Sequence, residues 1–167
     1  MSEHTAFVAI LLGSQSDMSH AQTIVDVLDQ LEIASEVRIG SAHKTPAHVL
    51  EMLARWEADP RPKVIITIAG RSNALSGFVD AQVSCPVIAC PPVSNSFGGA
   101  DVYSSLRMPS GVAPGVVLEP ANAALVAGKI LGLTDPAIRG RVQALQQQAI
   151  DTVLAADAAL REAVREI

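Results

Sequence analysis

Three short apolar runs, each closed by a glycine, constrain this chain more than any other feature. Thr5–Leu12 (TAFVAILL) stops at Gly13-Ser14, Ser35–Ile39 (SEVRI) at Gly40-Ser41, and Lys63–Ala69 (KVIITIA) at Gly70-Arg71. A fourth run, Pro86–Cys90, stops at Pro91-Pro92. Short Val- and Ile-rich runs ended by Gly or Pro read as buried strands. Helical spacing lies between them. After Asp17, a good N-cap residue, Met18, Ala21, Ile24, Val25, Leu28 and Leu31 form one apolar stripe. Pro46 suits a first helical turn, and Val49, Leu50, Leu53 and Trp56 follow on one face. Leu75–Val83 reads as a shorter helix. Alternation at this spacing requires right-handed crossovers and a parallel sheet covered on both faces. The expected fold is α/β: one flavodoxin-like, doubly wound parallel sheet in three α/β/α layers, a single domain over residues 1–167.

Beyond Pro109-Ser110-Gly111, Val112–Leu118 is a further strand candidate. Pro120 then opens a helix, Ala121–Leu131, made almost wholly of small residues and expected to be buried on most sides. From Pro136 onward Ile138, Val142, Leu145, Ala149, Val153, Ala156, Leu160 and Val164 recur at spacings of three and four. A helix over about 135–166 would be roughly 45 Å long. A globule of this chain length is only about 40 Å across. The helix is therefore expected to project past its own core and lend its apolar stripe to another subunit. The alternative is a break near Gln146-Gln147-Gln148 and a fold-back.

Composition removes several function classes. Twelve Lys+Arg against seventeen Asp+Glu give a net charge of −5 with no basic block, whereas nucleic-acid binding needs clustered cations. With 49% hydrophobic and 17% charged residues the chain is not of disordered type. Asp17, Lys44 and Arg71 follow closely on the most apolar stretches, so no run approaches the roughly 18 residues of a membrane span. Met1-Ser2-Glu3-His4 carries neither the basic nor the apolar part of a signal peptide, and the expected location is the cytoplasm. Cys85 and Cys90 are expected as buried or half-buried free thiols facing opposite sides of the sheet.

Ligands of an open parallel sheet bind beyond the carboxyl ends of its strands. Those ends carry Gly13-Ser14-Gln15-Ser16-Asp17, Gly40-Ser41-Ala42-His43-Lys44-Thr45-Pro46 and Gly70-Arg71-Ser72-Asn73. Each joins a glycine, which admits close backbone approach, to polar side chains and a helix N-terminus. That combination suits an anion, and Lys44 adds a point charge. A phosphate-bearing small molecule is the physical expectation, although a Gly-Ser turn also ends strands for structural reasons alone. No Walker loop or Gly-x-Gly-x-x-Gly fingerprint is present, which disfavours ATP and dinucleotides. His43, between a serine and a lysine, is the histidine placed to move a proton near neutral pH. His4, His20 and His48 read as surface or packing residues. Asp17 fits either an N-cap or a ribose-hydroxyl acceptor, and Arg71 either a ligand contact or a local ion pair. Asp101, Tyr103, Ser104, Ser105 and Arg107 form a polar cluster that also suits a subunit contact. No nucleophile elbow, paired-carboxylate motif or metal-ligand cluster occurs, so no metal site is expected.

The stretches Leu12-Gly13-Ser14-Gln15-Ser16-Asp17, Ser41-Ala42-His43-Lys44-Thr45-Pro46, Ser104–Gly111 (SSLRMPSG) and Asn122-Ala123-Ala124 resemble a purine-biosynthesis family. Its members make carboxyaminoimidazole ribonucleotide (CAIR). One branch, a mutase, moves the carboxylate of N5-carboxyaminoimidazole ribonucleotide from nitrogen to carbon. The other carboxylates aminoimidazole ribonucleotide (AIR) directly with CO2. The mutase branch typically has Arg after the loop histidine and a second histidine after the third strand. Here Lys44 stands in the first place, and Ala69–Gly77 (AGRSNALSG) holds no histidine. The resemblance is therefore to the direct carboxylase, including the form that is one domain of the bifunctional animal enzyme; the synthetase partner of that enzyme is not in this sequence. It implies a homo-octamer with AIR and CO2 as substrates and no cofactor. It also implies His43 as general acid/base, Ser14 and Asp17 at the ribose phosphate, and Ser41 and Lys44 at the phosphate and CO2 end. Lys44, Ser72 and Asn73, with backbone N–H groups of the Gly70-Arg71 loop, would orient CO2. The mutase is the rival activity, and a nucleotide-binding module without turnover is the rival from another class.

Overall fold

The computed structural model describes residues 5–165; the readings for His4 and its terminus, and for the helix at Glu166, lie outside them. Five parallel strands, β1 (Phe7–Leu12), β2 (Ala34–Ile39), β3 (Lys63–Ile68), β4 (Val87–Ala89) and β5 (Gly115–Val116), are ordered β2-β1-β3-β4-β5. The helices are α1 (Met18–Gln30), α2 (Pro46–Ala58), α3 (Ala74–Asp80), α4 (Tyr103–Leu106), α5 (Pro120–Leu131) and α6 (Pro136–Arg165). Leu12 stands opposite both Ile39 and Ile68, so β1, β2 and β3 end level and release their loops side by side.

Strand alternation divides the core into two layers. Val8, Ile10 and Leu12 with Val64, Ile66 and Ile68 pack against Ile24 and Leu28 of α1, Ala123, Ala124 and Ala127 of α5, and Ile138 and Val142 of α6. Phe7, Ala9, Leu11 and Ile65 face Val49, Met52, Leu53 and Trp56 of α2 and Leu75 and Val79 of α3. Each buried Val, Leu, Ile, Met or Phe side chain among them contributes about 1.5–3 kcal/mol. The small residues of α5 let it lie against α1, α6 and the sheet at once, as their pattern implies. Cys85 packs on the α2/α3 side and Cys90 lies in the other layer; both are free, and burial pushes the Cys90 thiol up to about 12.

Several boundaries differ from the sequence reading. α1 begins at Met18, directly after Asp17 as expected, but it is preceded by a 3-10 turn over Gln15–Asp17, and Met18 is 42% exposed rather than in the stripe. On α2 the buried stripe takes Met52, and Leu50 is exposed. Val112–Leu118 is strand only at Gly115–Val116, because Pro114 has no N–H to donate and β4 offers just three residues to pair. A 3-10 segment at Ser96–Val102, with left-handed backbone at Phe97, Gly98 and Gly99, precedes α4. The C-terminal helix is continuous through Gln146-Gln147-Gln148, with no fold-back. Asp135 starts it, its Oδ1 accepting from Ala137 and Ile138 N–H. Ile138 and Val142 are buried and Leu145 half-buried, whereas residues 146–164 are exposed. No helix among the described residues is long and apolar enough to cross a membrane.

Candidate active site

The strand order reverses at β1, between β2 and β3, and a cleft of about 570 Å³ opens beyond the strand ends there. Ser14, Asp17, Ser41, His43, Lys44, Gly70, Arg71 and Ser72 all line it, drawn from three loops. In the first loop, the Ser14 hydroxyl accepts from the N–H and the hydroxyl of Ser16. Asp17 occupies the N-cap position of α1, yet its carboxylate makes no capping hydrogen bond. It is half-buried beside the cleft, and this burial pushes its pKa above the usual carboxylate value, against the Ser16 hydroxyl and the charge of His20. The structure thus places Asp17 at the helix start without using its charge there.

The second loop is one closed turn. The Thr45 hydroxyl accepts from Ser41 N–H at 2.9 Å, Ser41 C=O accepts from Thr45 N–H at 2.9 Å, and Ser41 Oγ accepts from Lys44 N–H at 3.2 Å. His43 and Lys44 are held out at the turn's tip, exposed, with no side-chain hydrogen bond or ion pair among the described residues. The turn leads directly into the N-terminus of α2, whose free N–H groups and dipole favour an anion.

In the third loop Arg71 has a left-handed backbone, φ 59°. Among the described residues its guanidinium forms no ion pair, so no local pair is seen there; its backbone N–H instead donates to Asp101 Oδ2 at 3.1 Å. Asn73 is not brought into the cleft. It is 3% exposed and serves as N-cap of α3: Oδ1 accepts from Ser76 N–H, Nδ2 donates to Ser105 Oγ at 2.9 Å, and its own N–H donates to Ser104 Oγ. Asp101, Ser104 and Ser105 of the polar cluster therefore turn towards this loop, while Tyr103 and Arg107 are exposed. A smaller cavity of about 280 Å³, lined by Ser72, Asn73, Phe78, Ser104 and Arg107 among others, adjoins through Ser72.

Leu75, Pro92 and Ser94 also line the cleft and lie outside the loops that the sequence pointed to. The last two follow β4, which pairs with β3 and so delivers residues 91–94 beside the third loop. The Pro91-Pro92 stop was the available signal. Lys44 and Arg71 outnumber Asp17 at the rim, which suits an anionic ligand. Among the described residues no three of His, Cys, Asp or Glu converge as a metal site.

A family model described as AIR carboxylase matches residues 7–152. The chain is 54% identical over 154 residues to a phosphoribosylaminoimidazole carboxylase of Treponema denticola, covering 92% of this chain and 97% of that protein. It is 50% identical over 152 residues to one of Archaeoglobus fulgidus, covering 91% and 83%. The bifunctional carboxylase/succinocarboxamide synthetase of Rattus norvegicus is 36% identical over 155 residues, covering 93% of this chain but 36% of that protein. The crystal structure of Treponema denticola PurE superposes with a TM-score of 0.91 over 93% of this chain and 98% of the other. Matching in motif, in sequence along nearly its whole length and in fold, the chain belongs to the AIR carboxylase family.

Proposed function

We propose that this chain is a phosphoribosylaminoimidazole carboxylase of the direct type, converting AIR and CO2 to CAIR without ATP, metal or other cofactor, as a cytoplasmic homo-octamer. The supporting observation is the convergence of three strand-end loops on one cleft, with His43 and Lys44 free at its edge. The uncapped Asp17 carboxylate is available to a ribose hydroxyl, and the α1 and α2 N-termini with Ser14 and Ser41 to a phosphate.

The chemistry follows from the substrate. The exocyclic amine of AIR pushes electron density onto C4, which attacks CO2 to form the new C–C bond. C4 then still bears its hydrogen, and the His43 imidazole accepts that proton as the ring regains aromaticity. In reverse the imidazolium returns it. Lys44 and the Ser72 hydroxyl, with loop N–H groups, stabilise the growing carboxylate. Uncharged CO2 binds weakly by itself, so orientation supplies much of the rate. Lys44, together with the absence of a histidine in 69–77, favours this branch over the mutase.

The test supplies AIR and bicarbonate with chelator present and follows CAIR by absorbance. Product is expected, and His43→Asn should lower turnover by about 10²–10⁴-fold while AIR affinity stays within a few-fold. No product at raised CO2 would overturn the reading. Conversion of N5-carboxyaminoimidazole ribonucleotide under CO2-depleted conditions, faster than its decay to AIR, would favour the mutase instead. AIR binding without turnover of either compound would leave a nucleotide-binding module.

A further inference from the structure

We propose that Asp101 and Ser104 are positioning residues that hold the Gly70–Ser72 loop in its working shape, a role that rests on the carboxylase reading and extends it to residues outside the cleft lining. The loop contains a non-glycine residue, Arg71, at φ 59°, a backbone region that L side chains adopt rarely. Such a conformation persists only where the surroundings hold it. Here both backbone polar groups of Arg71 are bound by residues thirty or more positions away. Its N–H donates to Asp101 Oδ2 at 3.1 Å, and its C=O accepts from Ser104 Oγ at 3.1 Å. Ser104 Oγ also accepts the Asn73 N–H at 3.0 Å, and its one proton is shared between the Arg71 C=O and the Asp101 C=O at 2.8 Å, which ties the clamp to its own segment.

Ser72 is thereby gripped on both sides, through Arg71 before it and Asn73 after it. Its side chain lines the cleft that His43 and Lys44 share. Neither Asp101 nor Ser104 lines that cleft, so their effect runs through the backbone of residues 71–73. An ionised carboxylate accepting a peptide N–H makes a stronger bond than a neutral acceptor. Asp101 is thus a specific choice for fixing a backbone that would otherwise relax.

Full-length Asp101→Ala, Asp101→Asn and Ser104→Ala proteins are compared with the parent for kcat and KM, normalised to folded protein, and for amide hydrogen exchange at Arg71, Ser72 and Asn73. Asp101→Ala is expected to lose about 100-fold in kcat, with KM for AIR within a few-fold and faster exchange at Arg71. Asp101→Asn, which keeps an acceptor oxygen but not the charge, should recover part of the rate. A role in stability alone would lower the folded fraction and leave kcat per folded site intact; that result, or unchanged exchange, overturns the proposal. If Asp101→Ala does not fold, Ser104→Ala decides by the same readouts. If the parent protein fails to carboxylate AIR, the carboxylase reading falls separately, and exchange at Arg71 alone decides the clamp.

Discussion

At Asp17 the needs of a site and of a stable fold pull apart. Burial beside the cleft pushes its carboxyl above the unfolded value of 3.8, and the N-cap position it occupies returns no capping hydrogen bond. The folded state therefore holds the Asp17 proton more tightly than the unfolded chain does. Its contribution to stability is greatest below pH 3.8 and declines as pH rises through the folded value. Asp17→Asn is accordingly expected to raise Tm at pH 7, with the gain shrinking as pH falls towards 3.8, while carboxylation is lost. Thermal melts across pH, paired with the CAIR assay, check both halves. A lower Tm at pH 7 would mean that the charge stabilises the helix start after all. Asp17 was legible as a polar loop residue ahead of an apolar stripe. Whether it caps or binds was not, because both roles ask for the same residue at the same place in the sequence.

The close approach of Gly40 to α2 precedes the His43 turn directly. Gly40 is buried where the chain leaves β2, and a Cβ there would lie 2.7 Å from Met52 Cε and 2.8 Å from Val49 Cγ2. Met52 can yield, but Val49 is β-branched and fully buried, so α2 would have to shift. Gly40→Ala is expected to cost about 1–3 kcal/mol. That lowers Tm by roughly 3–10 °C, and carboxylation falls because residues 41–45 move with the helix. Calorimetry with an activity assay tests this; an unchanged Tm would show that the layer accommodates a methyl group. At this scale the sequence reading held for the cores of β1, β3 and α5, where period and length agree, and for three of the four residues it put on the buried face of α2. It failed where a neighbour sets the limit, as at β5, which extends only as far as β4 can pair it.

For the whole molecule the salient feature is the distal part of α6. Its apolar residues Ile150, Val153, Leu154, Leu160 and Val164 are 52–68% exposed along one unbroken helix. Specific interfaces bury at least about 1,000 Å², an area a projecting amphipathic helix can supply. A chain ending at Gln148 retains Ile138, Val142 and Leu145, the residues of α6 that join the core. It is expected to keep its circular dichroism and melting cooperativity but to sediment as a smaller assembly than the full chain. An unaltered assembly mass would remove α6 from the contact.

Local pattern alone determined the first four strands, the glycines that close the first three, the residues carried just beyond them, and a helix too long for its own core. These are one-dimensional properties, since the period of burial and the stop residues lie within a few positions of each other. Tertiary structure decided what depends on chain return. The order β2-β1-β3 set three loops side by side, β4 brought Ser94 to them, and Asp101 reached back thirty residues to Arg71. It likewise gave Asn73 to a helix cap instead of the cleft. A hydrogen-bonding side chain has the same appearance in a sequence whether its partner is a ligand or a distant peptide group, and only the packed chain chooses between them.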